Sequence, residues 1–550
     1  MSAVLQGGLV ALGALAWLGL LARITLVTAR MFQIEEYEAR RLLRWGSTRA
    51  WLLHRSVVIA AGPAALVTVA TLVDPAATDL RQLIAAAWLI GAAASQLAWA
   101  WLPPKKALVY TPRLRRLLAA AAALALVLAG CACLGVLRAP LPWAGVIVTA
   151  AGLSVTSMSL LLLAMAGVLN RPVESRVRRG FLRRARARMA EVNPLVIAIA
   201  GSYGKTSTKH ILAHLLEPYG STLATPKSFN TLMGVSQTIN DVLEDRHRTF
   251  IVEMDAYAPG EIAAICALAR PSHAVITSVG PQHLERFGTM QRISTALYET
   301  IAALPDGGFA VVYCGDPDSA SLAELAARDG RNVTRYGIDG EGGTFDVVAG
   351  DVQISGHGSR FTWRWPAAGL SHQVFVPLLG RHQVLNVTAA LAMIHRLGLP
   401  LEAALGAVES LQPVDHRLQP VPTGNAITVI DDSYNANPVG VHNGLEVLAE
   451  LEARARILVT PGLVELGPVE EAENRRYGEH AARVCDHVIV MDARPAQALR
   501  EGLRAGGLSD DRVHVVRSLA EATAVIGRIA GAGDAVLFAN DLPDTYLGAA

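Results

Sequence analysis

Residues 195–208 read LVIAIAGSYGKTST: a short apolar run suited to a buried strand, a turn with two glycines, then a lysine opening a helical pattern. Glycines let backbone N–H groups wrap a phosphate, and a helix N-terminus favours the negative charge placed there. Gly201, Ser202, Gly204, Lys205, Thr206 and Ser207 are therefore the candidate nucleotide-binding residues. Lys205 is placed to neutralise terminal phosphates, and the Thr206 hydroxyl to join a Mg²⁺ shell. The turn is shorter than the common GxxxxGK[ST] form, because Ile199 stands where the distant glycine would be. The bland alternative is a glycine-rich turn with a solvated lysine.

Around this turn the chain alternates. Apolar runs LVIAIAG (195–201), TFIVEMDA (249–256), AVITSVG (274–280) and FAVVYCGD (309–316) are separated by Ala/Leu/Glu-rich segments of helical length. That alternation predicts βαβ units and a parallel sheet. A Gly-rich interval near 337–375 predicts short antiparallel strands. From about residue 414 a second series follows: ITVIDDSY (427–434), RILVTPGL (456–463), HVIVMDA (487–493) and AVLFAND (535–541). The Pro- and Gly-rich stretch 413–425 suits the joint between two α/β domains, expected at 191–412 and 413–550.

Upstream the composition changes. Of the 550 residues, 52% are hydrophobic and 17% charged, against roughly 25% charged in ordinary soluble proteins. Residues 1–190 carry 22 Lys+Arg against 6 Asp+Glu, and residues 191–550 carry 27 against 41. Five apolar runs, near 4–27, 56–73, 82–102, 117–137 and 142–168, each reach the roughly 20 residues that span a bilayer. They predict a five-helix transmembrane domain over 1–170, its first helix uncleaved. Basic loops (Arg30, Arg40, Arg41, Arg44 and Arg49; then Lys105, Lys106, Arg113, Arg115 and Arg116) alternate with loops holding Arg81, Asp74 and Asp79, or Arg138. Positive charge marks the cytoplasmic side, so the N-terminus is expected outside and everything after residue 170 in the cytoplasm. The arginine-rich juxtamembrane segment 171–190 is either a positive stop signal or a helix lying on anionic headgroups. No nucleic-acid partner is expected. Five scattered cysteines without a CxxC pair exclude a disulfide scaffold and argue against a zinc ribbon.

The motifs occur in a family's order: AGSYGKTST (200–208), TPKSFNTLMGV (225–235), VEMDAYAPGEI (252–262), ITSVGPQHLERFG (276–288), LLGRHQVLNVTAAL (378–391), VDHRLQP (414–420), VIDDSYNANP (429–438) and LVTPGLVELG (458–467). In these the chain resembles the Mur ligase superfamily, specifically its MurF-type branch, which adds D-Ala-D-Ala to peptidoglycan precursors. The resemblance implies a central P-loop ATPase domain, a C-terminal Rossmann-like domain, and ATP- and Mg²⁺-dependent amide formation through an acyl-phosphate. Lys205, Glu253 and His283 would be catalytic, with Thr206, Glu253 and His283 at the metal. Asn386, Arg417 and Asp432 match positions holding adenine, a phosphate and ribose. Lys227, Ser228, Asn230 and Thr231 match a loop facing the acceptor, and Asn435 and Asn437 a loop turned toward the incoming amine. On their own, Glu253 has the lesser alternative of an exposed strand-end carboxylate, His283 is more often a polar core residue, and the Asn–Pro stretch also suits an ordinary turn.

The chain departs from the family at four places. Leu297 stands where many members have a lysine that becomes a carbamate ligand for a second cation; Glu299 is the nearby carboxylate expected as a substitute. Ser278 and Gln383 replace asparagines while keeping hydrogen-bonding capacity. The membrane helices stand in place of the soluble domain that holds a UDP-linked sugar, which points to an acceptor presented at the membrane surface on a lipid carrier. The expected activity is thus a membrane-anchored peptide ligase joining a precursor carboxylate to an amino acid or dipeptide amine in the bacterial inner membrane. The competing readings are a ligase for a capsule-like polypeptide such as poly-γ-glutamate, and a catalytically weak nucleotide-binding scaffold.

Overall fold

The computed structural model describes residues 2–34, 37–48, 55–73, 80–98, 108–227, 229–355, 357–421, 426–433, 437–464, 466–493 and 495–540. Two compact units divide the chain, Met1–Arg178 and Arg179–Ala550. The first is helical: α1 (Ser2–Ile34), α2 (Ala39–Thr48), α3 (Arg55–Val73), α4 (Leu80–Ala98), α5 (Pro112–Arg138), α6 (Leu141–Leu153) and α7 (Val155–Val192), the last crossing the division. Its core gathers Trp17, Leu20, Leu21 and Ile24 of α1 with Trp88 of α4, while Leu15, Leu66 and Val69 are exposed. Close approach depends on small residues: a Cβ on Gly91 would strike Ala60 O, and one on Gly152 would lie 2.8 Å from the Ala61 backbone. Arg81 caps the C-terminus of α5 by donating to Val136 O (3.0 Å), Leu137 O (3.2 Å) and Ala139 O (2.6 Å).

The described residues do not confirm all five apolar runs as membrane-length helices. Among the described residues three helices are long and apolar enough to cross a membrane, Val4–Ile34, Pro112–Arg138 and Val155–Val192. Val57–Val73 and Leu141–Leu153 are shorter. The run 142–168 breaks at Ser154 (φ −90°, ψ −2°), leaving α6 with 13 residues. At 1.5 Å per residue that is about 20 Å, short of the ~30 Å hydrocarbon layer. The loop expected after the first run contains α2, an amphipathic helix burying Leu42 and exposing Arg40 and Arg44. Of the loop charges used to orient the chain, Arg49, Asp74, Asp79, Lys105 and Lys106 lie outside the described residues. The arginine-rich segment is helical, within α7. In the second unit Ala185 and Met189 of α7 join the α/β core, and Arg188 bonds Leu243 O (3.0 Å) and Asp245 (2.9 Å).

The second unit begins with a nine-stranded sheet ordered β2-β3-β1-β4-β5-β6-β7-β8-β9. Its strands and helices follow as β1 (Leu195–Ala200), α8 (Lys205–Leu216), β2 (Thr222–Ala224), α9 (Leu232–Asp241), β3 (Thr249–Glu253), α10 (Glu261–Ala269), β4 (His273–Ile276), α11 (Leu284–Phe287), α12 (Met290–Ala302), β5 (Phe309–Tyr313) and α13 (Pro317–Arg328). Then come β6 (Asn332–Ile338), β7 (Val347–Ser355), β8 (Gly358–Trp365), β9 (Leu370–Val376), α14 (Arg381–Arg396) and α15 (Leu401–Val408). Pairing is parallel from β2 through β7 and antiparallel for β7–β8 and β8–β9. The period of two is visible on β1. Val196, Ala198 and Ala200 enter a core with α9, α10, α12 and α13, while Ile197 and Ile199 face α8, α14 and α15. The expected strands correspond to β1, β3, β4 and β5, and the Gly-rich interval holds the antiparallel strands β7, β8 and β9; short β2 and the more polar β6 went unread.

The C-terminal sheet is ordered β10-β11-β15-β12-β13-β14. It is built from β10 (Gln419–Val421), β11 (Thr428–Asp432), α16 (Pro438–Glu450), β12 (Arg456–Thr460), α17 (Glu470–Val484), β13 (His487–Met491), α18 (Ala496–Ala505), β14 (Val513–Val516), α19 (Leu519–Ile529) and β15 (Ala535–Ala539). Only β10 runs antiparallel to its neighbour. Arg417 lies at the joint of the two domains and influences both His382 of α14 and Asp432 of β11. Burial pushes the Asp432 carboxyl up to about 7 despite Arg417 and the Leu418 N–H (3.2 Å), which favour the charged form. Burial, aided by Arg417, lowers His382 to about 4.

Two outcomes follow. Gly152→Leu forces a side chain into the α3 backbone and should lower the thermal stability of the detergent-solubilised chain, by about 1–3 kcal/mol for overpacking; an unchanged melting temperature would show that α3 and α6 are not packed this closely. Between about pH 4 and 7 folded Asp432 keeps a proton that the unfolded chain has lost, so its contribution to stability falls as pH rises through that window. Asp432→Asn should therefore stabilise the chain at pH 8, by roughly 2–4 kcal/mol, with the gain shrinking toward zero near pH 4. Denaturant titrations at both pH values check this, and a pH-independent difference would contradict it.

Candidate active site

β1 lies between β3 and β4, so the chain leaves its C-terminal end where successive crossovers diverge to the two sides of the sheet, a place where α/β proteins open a crevice. The turn after β1 requires glycine at two points. Gly201 has φ +143° and a Cβ there would run into Thr277 Oγ1; Gly204 has φ +79° and forms the N-cap of α8. Ser202 fastens the turn to the β4 side, donating from Oγ to Gly280 O (2.9 Å) and accepting from Gly280 N (2.9 Å). Ser207 is buried on α8.

Lys205, the first residue of α8, is 6% exposed. Its ammonium donates to Gly201 O (2.6 Å) and more weakly to Gln282 Oε1 (3.3 Å), and lies 3.4 Å from Asp255 Oδ1. One residue on, Thr206 Oγ1 donates to the Glu253 carboxylate (3.1–3.2 Å) at the end of β3. Glu253 is not an exposed strand-end carboxylate; it is 2% exposed. Its countercharge is Lys209, fully buried, with Nζ 2.8 Å from Glu253 Oε2 and 2.7 Å from Lys227 O. Asn230 Nδ2 also donates to Glu253 Oε1 (3.1 Å) and reaches Asp255 Oδ2 at 3.5 Å.

His283 is buried at the start of α11 with φ +56°. Its Nε2 lies 3.9 Å from Asp255 Oδ2. The Tyr257 ring packs edge-on against it at 4.8 Å, and Arg286 sits 4.1 Å above Tyr257. The expected acceptor loop also converges here: Lys227 adopts φ +48° with its carbonyl on Lys209, while the Thr231 hydroxyl caps α9 by accepting from Gly234 N (3.3 Å). Ser228 lies outside the described residues.

The remaining candidates lie behind or beyond the turn. Asn386 of α14 accepts from Thr208 Oγ1 (3.0 Å) and donates to Gln383 (3.1 Å), so its amide is partnered within the core. Arg417 and Asp432 share the domain joint. Asn437 serves as the N-cap of α16, with Oδ1 accepting from Gly440 N at 2.8 Å; Asn435 lies outside the described residues. Leu297 is buried in the core with α10, and both oxygens of Glu299 are engaged by Gly260 N (2.5 Å) and Ala263 N (2.8 Å) at the start of α10. Glu299 is therefore a helix-capping group rather than a substitute cation ligand, and neither residue fits a carbamate-held metal.

Sequence reasoning missed Lys209 and Asp255. Lys209 sits one helical turn after Lys205, a spacing that puts both on one face of α8, and Asp255 is two residues beyond Glu253. The donor chemistry suits a hard cation: a threonine hydroxyl and carboxylates are oxygen ligands of the kind Mg²⁺ prefers, while the His283 nitrogen is a weaker match. Among the described residues no three His, Cys, Asp or Glu side chains form a closed metal cluster.

Two family profiles match the chain, together over more than half its length: the Mur ligase middle domain at residues 199–394 and the Mur ligase glutamate ligase domain at residues 416–540. UDP-N-acetylmuramoyl-tripeptide–D-alanyl-D-alanine ligase of Mycobacterium tuberculosis is 37% identical over 318 residues, covering 56% of this chain and 60% of that protein. Its namesake in Escherichia coli is 32% identical over 302 residues, covering 55% and 65%. The chain thus spans less than two thirds of these relatives' lengths. Among solved structures, MurF from Acinetobacter baumannii superposes with a TM-score of 0.59 at 27% identity, over 66% of this chain and 77% of that one. MurF ligase from Thermotoga maritima in complex with ADP gives 0.59 at 26%, over 67% and 81%. With both domain profiles in sequence order and MurF proteins among both kinds of relative, the chain belongs to the Mur ligase superfamily and is of the MurF type.

Proposed function

We propose that the chain is a membrane-anchored, ATP-dependent amide ligase that activates a peptide-precursor carboxylate as an acyl-phosphate and joins it to an amino acid or dipeptide amine. The carrying observation is the convergence of Lys205, Thr206, Glu253 and the 226–231 loop at the turn after β1. Support from outside the chain comes from relatives named as tripeptide–D-alanyl-D-alanine ligases and a MurF solved with ADP.

In this assignment the backbone N–H groups of 201–206 cradle the phosphates, and Lys205 moves from its carbonyl partners to the terminal phosphoryl oxygens. Thr206, Glu253 and His283 would hold Mg²⁺, which supplies charge neutralisation at the phosphates. Asn386, Arg417 and Asp432 would face the nucleoside and a phosphate, which requires the Asn386 amide to exchange a core partner. Phosphoryl transfer needs positioned positive charge more than a reactive side chain, and Lys205 and Arg417 supply it. Lys227, Ser228, Asn230 and Thr231 would line the acceptor carboxylate, with Asn435 and Asn437 toward the amine. The amine nitrogen attacks the acyl carbon, phosphate leaves with the C–O bonding pair, and the proton shed by the nitrogen passes to the departing phosphate; domain closure would align the two.

The exposed apolar residues of the helical unit and the three membrane-length helices among its described residues support anchoring in the bacterial inner membrane, and the alternation of basic loops supports an N-terminus outside with the α/β domains cytoplasmic. The acceptor would then be presented at the membrane surface on a lipid carrier.

The full chain in nanodiscs, given Mg·ATP, a muramoyl-tripeptide acceptor and D-Ala-D-Ala, should release phosphate and yield an amide product by mass spectrometry. Lys205→Ala should reduce that release by at least about 10²–10³-fold, the scale for losing a charge-stabilising donor. Unaltered release would place the chemistry elsewhere, and product only with glutamate oligomers would favour a capsule-type ligase. Equal turnover of soluble UDP-linked and lipid-linked acceptors would remove the case for the lipid carrier.

A further inference from the structure

Four full charges are linked at the turn after β1: the ammonium groups of Lys205 and Lys209 and the carboxylates of Glu253 and Asp255. They pair off. Lys209 and Glu253 are 0% and 2% exposed at 2.8 Å, a permanent pair that water does not reach. Lys205 and Asp255 are 6% and 19% exposed at 3.4 Å, a looser pair at the rim of the crevice. The sum is zero, so a bare divalent cation meets no net negative charge. A triphosphate changes only one pair. Lys209 is held by Glu253 and Lys227 O within the core, whereas Lys205 heads the helix whose N-terminus would face the phosphates. When Lys205 turns to the phosphates, Asp255 loses its countercharge. The freed carboxylate lies 3.9 Å from His283 Nε2 and within 3.5 Å of the Asn230 amide that also holds Glu253, so it faces the same space as the carboxylate already bonded to Thr206.

We propose that Asp255 is a further cation ligand of this site, released by Lys205 on nucleotide binding, and that Lys209 is the positioning residue whose fixed charge keeps Glu253 from capturing metal without nucleotide. The chain would then take its divalent cation only together with the nucleotide. This rests on the ATP and Mg²⁺ roles proposed above. It predicts a gain of binding, which a role of Lys209 in packing alone would not give.

Mn²⁺ titrated into the full chain in nanodiscs and followed by electron paramagnetic resonance tests it, with nucleotide binding measured separately by a fluorescent ADP analogue. The wild-type chain should bind Mn²⁺ at least about tenfold more tightly with ADP than without. Asp255→Asn should weaken Mn²⁺ binding in the presence of ADP by about 10–100-fold, the range for a ligand or its immediate support. Lys209→Met should raise nucleotide-free Mn²⁺ affinity about tenfold or more, by leaving Glu253 uncompensated. Lys205→Met should do the same through Asp255, giving a second variant if Lys209→Met does not fold. Nucleotide binding accompanied by equally tight Mn²⁺ binding to the ADP-free wild type, or by no effect of Asp255→Asn, would overturn the proposal while leaving the ATP assignment standing. Failure to bind nucleotide at all would overturn both.

Discussion

An ammonium and a carboxylate sealed from water, Lys209 and Glu253, set the geometry of the turn after β1. Removing one partner of such a pair typically costs about 3–5 kcal/mol, because the other charge is left buried without compensation. Helix α8 and the end of β3 are therefore held in one register. Two neighbouring contacts extend the constraint. Thr206 bonds the same carboxylate from the helix, and Asn230 bonds it from the loop after β2. A helix, a strand end and a loop separated by tens of residues thus share one small cluster of polar atoms.

Sheet topology explains why these groups meet. In a parallel sheet the C-terminal ends of all strands lie along one edge, and here β1, β3 and β4 are adjacent. Gly201, Glu253 and the 277–283 segment therefore emerge side by side. The register is fixed by alternation: shifting β1 by one residue would exchange the sides taken by Val196, Ala198 and Ala200 and by Ile197 and Ile199. The second α/β domain meets the first through Arg417, whose charge acts on a buried histidine in one and a buried aspartate in the other. Their opposite shifts give the joint opposing pH responses: the Asp432 contribution weakens with rising pH, while that of His382 weakens as pH falls from about 6.5 to about 4.

Much of this was legible in the sequence because it depends on local pattern. LVIAIAGSYGKTST reads as strand, turn and helix since β-branched residues, obligatory glycines and a helix start occur in immediate succession. Strands of the 222–224 and 513–516 kind escape such reading, being too short for a period to register. In the helical unit hydropathy does not report the break at Ser154, which interrupts an otherwise unbroken apolar run. Lys209 was hidden for a different reason. A lysine on a helix is usually solvated, and only the approach of β3 and Lys227 O makes this one a core residue. Asn437 shows the converse, since its sequence context fits both a substrate loop and the helix cap that its side chain forms.

Leu297 carries a consequence beyond packing. Its side chain is sealed among α10 and α12, and it offers no amine to which dissolved carbon dioxide could add. A site whose charge is supplied wholly by encoded side chains needs no bicarbonate to mature. Its readiness would be set at translation rather than by the gas tension of the cell.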